Sequence, residues 1–151
     1  MKKRGLRGFL LGVMVLTIGV SFAYADGQIK LVANTTLVEN GEALGVSLLM
    51  SGSGFYDVYA GLTGGIIKQQ YFLFTNDGGL VPFIDFASLP KLRENLNMSN
   101  LFAKDKVIHL LPKLQFMNTK DFKGNYLFFV ALCTPGQLDF VKFESITIDI
   151  Q

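Results

Sequence analysis

Leu44-Gly45-Val46-Ser47-Leu48-Leu49-Met50, then Ser51-Gly52-Ser53-Gly54, then Phe55-Tyr56-Asp57-Val58-Tyr59-Ala60-Gly61-Leu62 is the stretch that decides the fold class. In the first run Leu44, Val46, Leu48 and Met50 alternate with Gly45 and Ser47. In the last, Tyr56, Val58, Ala60 and Leu62 alternate with Phe55, Asp57, Tyr59 and Gly61. A repeat of two sends successive side chains to opposite faces of a strand, so each run offers one face to a core. The Ser-Gly-Ser-Gly between them has turn composition. These residues predict two strands joined by a turn, and no helix.

The same signal continues in both directions. Upstream, Ile29, Leu31 and Ala33 oppose Gln28, Lys30 and Val32, and Asn40-Gly41 predicts a tight turn because both residues accept positive φ. Downstream, Thr63-Gly64-Gly65 leads into a predicted strand over residues 66–74, closed by Asn76-Asp77-Gly78-Gly79. Residues 80–84 read as a short edge strand, since Pro82 has no N–H to give to a ladder. Between residues 86 and 106 the alternation dissolves. There residues 89–96 predict one or two helical turns, with Ser88 as cap and Pro90 in the first turn. A connection of that length is where functional surface often lies.

Strand signal returns at residues 107–111, is broken by Pro112, and resumes with Leu114 and Phe116. After a polar turn at residues 119–125, residues 126–133 are apolar on both faces and predict a central strand covered on both sides. Thr134-Pro135-Gly136 turns the chain into a last strand whose apolar phase shifts from Leu138 and Phe140 to Val141 and Phe143, then back to Ile146, Ile148 and Ile150. Such a shift implies a bulge or a change of sheet. Roughly seven short strands predict an all-β antiparallel sandwich, with a small barrel as the alternative.

The first 25 residues follow another rule. Lys2, Lys3, Arg4 and Arg7 precede an uncharged apolar run that closes on Ala23-Tyr24-Ala25, the small-x-small pattern of a signal-peptidase site. No cysteine follows the run to carry a lipid, and Val13 stands where a type IV prepilin has its glutamate. The expected organisation is a secretory signal peptide over residues 1–25 and one β-sandwich domain over residues 26–151. That organisation suits a bacterial protein exported to the periplasm or cell surface, with no stable membrane span after cleavage.

Removing that segment reverses the charge. Four of the 14 basic residues lie within it, so the remaining 10 face 12 acidic ones. The basic residues left are scattered, which argues against a nucleic-acid partner needing a stripe of phosphate contacts. Cys133 is the only cysteine, so no disulfide forms within the chain, and its apolar neighbours predict a buried thiol. A bridge between two chains is the alternative.

Two groups of residues resemble known domains. Asp121-Phe122-Lys123-Gly124-Asn125-Tyr126 resembles the corner between the E and F strands of immunoglobulin-like and fibronectin type III-like domains. That likeness implies that the Tyr126 hydroxyl bonds back across the corner. Gly41-Glu42-x-Leu44-x-Val46-x-Leu48, with residues 57–62 and Gly124-Asn125-Tyr126, is similar to Ig-like domains of secreted bacterial proteins. The likeness implies a fold and an extracytoplasmic setting, without an activity. An antibody-type domain would also need the inter-sheet disulfide and core tryptophan, which this chain lacks.

No residue here earns a catalytic, cofactor or metal assignment. His109 is the only histidine, and no nucleophile motif accompanies it. Asp57, Asp77, Asp85 and Asp139 are spread along the chain, and Asp57 is expected to cap a neighbouring backbone group. Asn76-Asp77-Gly78-Gly79 reads as a hairpin turn, with weak calcium binding as its functional alternative. Phe55, Tyr59, Tyr71 and Phe74 would make a platform for sugars or a partner if they project outward, but as strand aromatics they are expected mainly in the core. Residues 146–150 form a β-prone end suited to joining another sheet, or to closing their own. The expected role is a non-enzymatic Ig-like interaction module with a protein partner. A self-assembling subunit of an extracellular filament and a small carbohydrate-binding module are the alternatives.

Overall fold

Alternating apolar residues become strands wherever the alternation is regular. The computed structural model describes residues 27–151, so the signal peptide expected over residues 1–25 lies outside the described residues. The strands are β1 (Gln28–Ala33), β2 (Leu37–Val38), β3 (Ala43–Ser51), β4 (Phe55–Gly64), β5 (Tyr71–Phe74), β6 (Leu80–Pro82), β7 (Arg93–Asn97), β8 (Val107–Gln115), β9 (Gly124–Cys133) and β10 (Phe140–Ile150). They form two sheets. The smaller has the order β1-β3-β8; the larger runs β2-β10-β9-β4-β5-β6, with β7 paired to the other half of the β4 edge. Every pairing is antiparallel except β2 with β10.

One core lies between the sheets. Leu44, Val46 and Leu48 of β3 meet Val58 and Ala60 of β4, Phe128, Val130 and Leu132 of β9, and Ile148 and Ile150 of β10. These are the in-facing sets that the period of two selects. The architecture is all-β and sandwich-like, with two separate sheets and no closed barrel. Among the described residues no helix is long and apolar enough to cross a membrane.

Several local expectations hold. Gly41 sits at φ +87° in the Asn-Gly turn, and its N–H reaches the Phe116 carbonyl at 2.7 Å. β9 is central, between β10 and β4. The phase shift in the last strand is a bulge, because the β9–β10 register slips between Phe140 and Lys142. Residues 146–150 close their own sheet, with Ile148 opposite Tyr126 and Ile150 opposite Gly124.

Others need correction. The strand predicted over residues 66–74 forms only at Tyr71–Phe74, and Gly65–Ile67 is a 3₁₀ turn. Gly65 at φ +53° and Lys68 at φ +56° lie in the left-handed region, which an extended ladder does not accommodate. The helical turns predicted over residues 89–96 are absent. Pro90 keeps Leu89 extended, and residues 93–97 pair with β4 as β7. Ser88 is no cap there; its own N–H donates to Asp85 Oδ1 at 2.8 Å, so Asp85 caps the short turn Phe86–Ser88. Nor does Tyr126 close the E–F-type corner. Its hydroxyl accepts from Ile66 N–H, 3.3 Å away in the connection after β4. The ring lies beneath Gly65, where a Cβ would come within 2.1 Å of Tyr126 Cζ, so it is committed to that turn.

Candidate functional site

The face of the larger sheet turned away from the core is also apolar. On β4, Val58 and Ala60 enter the core, so Tyr59 and Gly61 point the other way. The β4–β9 register places Tyr59 opposite Ala131 and Gly61 opposite Phe129, and β10 adds Phe143 opposite Ala131. Tyr71 and Leu73 of β5 continue the surface. Phe83 and Phe86 wall it on the β5 side, and Leu138 and Phe140 on the β10 side.

Together these residues shape a groove of about 520 Å³. It runs across the strands, and three inter-strand spacings alone give it a length of about 14 Å. Tyr59, Leu73 and Ala131 are the floor, at 7%, 4% and 3% exposed, whereas Phe86 and Phe140 are rim residues. Small residues make the depression: a Cβ at Gly61 would meet Phe129 Cζ at 2.6 Å. Phe129 and Phe143 stack at 6.2 Å and 14°, while Tyr71 meets Phe129 edge-on at 70°. No lining residue is charged. Among the described residues the Tyr59 hydroxyl has no hydrogen-bond partner. Burial raises its pKa, the nearby Lys91 charge opposes that, and Asp57 reinforces it. The group is thus a protonated donor at neutral pH.

Asp57 holds the end of the sheet beside this groove. It is fully buried, and its neighbour in the register is Cys133. Asn95 N–H donates to Oδ1 at 2.8 Å, Gly136 N–H donates to Oδ2 at 2.8 Å, and Lys91 Nζ lies 2.9 Å from Oδ2. Asp57 is therefore the cap that the sequence suggests, tying β7, the β9–β10 turn and Lys91 to one strand. Burial is the largest single influence and would raise its pKa, but the two N–H groups and Lys91 together hold it below the ordinary value. Asp57 and Glu94 both raise the pKa of Lys91. Cys133 is a free, buried thiol, pushed up to about 11 by burial and then by Asp139 and Asp57.

The other carboxylates are occupied locally. Asp77 accepts from the Thr75 hydroxyl and from Gly79 N–H inside the β5–β6 turn. Asp139 accepts from Thr134 N–H at 3.2 Å and from its hydroxyl at 2.8 Å. Each works on its own turn, and no two form a facing pair in these bonds. His109, on the edge strand β8, is exposed and hydrogen-bonded through Nδ1 to the Ser47 hydroxyl at 2.9 Å. It borders a shallow polar cleft with Asn76, Asp77 and Arg93. Arg93 donates there to Asn76 Oδ1 at 2.6 Å. Among the described residues no carboxylate bonds to the imidazole, and no three His, Cys, Asp or Glu groups converge for a metal.

The four aromatic candidates separate. Tyr59 and Tyr71 enter the groove, Phe55 is exposed apart from it, and Phe74 is a core residue stacked on Phe128 at 6.4 Å. Sequence reasoning missed Phe83, Phe86, Leu138 and Phe140 as groove residues, since they lie in connections or at the bulge where no period assigns a face. No protein-family model matches the chain, and comparisons with curated proteins and with solved structures gave no match.

Proposed function

We propose that this protein is an exported, non-enzymatic binding module that holds an elongated apolar ligand across the outer face of its larger sheet. The observation carrying this reading is the uncharged aromatic groove, whose volume falls in the range of about 300–1,000 Å³ usual for ligand sites. Its occupant is a hydrocarbon chain with a neutral polar group for the Tyr59 hydroxyl. A sugar fits less well, because the Tyr71 and Phe129 rings are not coplanar and the wall has only two phenol hydroxyls as side-chain polar groups. Export rests on the leader pattern of residues 1–25.

We also propose that the sandwich is Ig-like. Taking β1, β3, β4, β5, β6, β8, β9 and β10 as strands A, B, C, C′, C″, E, F and G, the sheets read ABE and GFCC′C″, close to the variable-type order. The strand that would be D is missing from the smaller sheet, and β7 pairs with β4 instead.

Calorimetric titration with n-decanol tests the ligand reading. A single saturable site with a negative heat-capacity change is expected. Ala131→Phe projects into the groove, away from the core, and should abolish binding. Tyr59→Phe should weaken it by about 0.5–1.5 kcal/mol, the usual contribution of one hydrogen bond. Absence of saturable binding, or binding unchanged by Ala131→Phe, would contradict the reading.

A further inference from the structure

We infer that the open edge of β10 pairs with the same edge of a second copy of this chain, in antiparallel register about Ser145. Asp149 and Gln151 donate outward, to Thr36 and Val38 beside β2, at 2.8 and 3.0 Å. The two-residue period carries that outward direction back to Thr147, Ser145 and Phe143. Among the described residues those three N–H groups have no partner on that side. β2 covers the edge at one end, and the bulge between Phe140 and Lys142 bounds it at the other.

The remaining edges carry the devices that discourage pairing. β6 is three residues long and contains Pro82. β8 contains Pro112 and Lys113 and slips register twice against β3, β1 carries an exposed Lys30, and β7 is interrupted by the positive φ of Asn95. The open stretch of β10 has no proline, lysine or bulge. Its midpoint is Ser145, so only a two-fold axis there pairs all three outward residues, a self-complementary arrangement. Phe143 then faces Thr147 of the second copy, an aromatic with a β-branched residue. Glu144 faces Ile146 of the second copy, and no like charges stand directly opposite. This inference does not depend on the groove's ligand.

Sedimentation of the purified full chain over micromolar to millimolar concentrations tests it. A concentration-dependent dimer is expected, and a monomer throughout overturns the proposal. Ser145→Pro removes a donor that the domain's own ladder does not use, so circular dichroism should be unchanged while association weakens about tenfold or more. Unchanged association in that variant also overturns it. A second pair of variants tests the register without touching the backbone. Ser145→Lys and Ser145→Glu should each associate poorly alone, because like charges would face each other, and should form a heterodimer when mixed. Mixing with no gain in association would refute the Ser145 register.

Discussion

Asp57 shows how one side chain can hold several loops. A carboxylate with no exposed surface accepts two backbone N–H groups and one ammonium, so removing it orphans two backbone donors and leaves Lys91 with Glu94 alone. Asp57→Ala should cost about 3 kcal/mol or more in chemical denaturation, the penalty for orphaned buried donors and a broken buried ion pair. Because its pKa is lowered in the folded protein, its contribution is present above about pH 4 and lost as pH falls through the folded value. Acid titration followed by circular dichroism should thus show a flatter stability profile below pH ~4 for Asp57→Asn than for the parent. Cys133 gives a second expectation: with its pKa pushed up to about 11 and no exposed surface, it should resist iodoacetamide in the native protein and react on unfolding. The capping role of Asp57 was legible from its place in an alternating strand. Its partners Asn95 and Gly136 were not, because both sit where sequence has no period to say which loop approaches.

Strand β9 carries the clearest contrast between the two faces of an element. Leu132 is fully buried in the core, while Leu127, on the opposite face, is 36% exposed. Leu132→Ala should cost about 2–5 kcal/mol, and Leu127→Ala should stay within about 0.5 kcal/mol, measured by urea unfolding. The reverse order of losses would mean that the register is shifted by one residue, since such a slip exchanges the two faces. Strands with strict alternation, such as β3 and β4, were readable with their faces assigned. The misread elements have separate causes. Residues 66–70 and 89–96 have strand-like or helix-like composition, but positive φ at Gly65 and Lys68 stops one, and pairing with β4 captures the other. The second outcome is decided by a tertiary partner, which local propensity does not encode.

At the scale of the whole molecule, the larger sheet is apolar on both faces, one closed by the smaller sheet and the other shaped into a groove. The sequence shows the second apolar face of β9 plainly, in Leu127, Phe129, Ala131 and Cys133. What covers that face was not legible, since Phe83 follows directly on β6, Phe86 arrives from the long connection and Phe140 lies beside a bulge. The exposure of so many aromatics in one depression is what supports the proposed binding role. Occupancy of the groove should also stabilise the fold by mass action, raising the melting temperature as ligand concentration rises. The most direct test is nuclear magnetic resonance mapping of the amide shifts produced by n-decanol. Groove binding predicts saturable shifts concentrated at Tyr59, Tyr71, Phe129, Ala131 and Phe143. Shifts centred instead on the His109 cleft, or none that saturate, would contradict it.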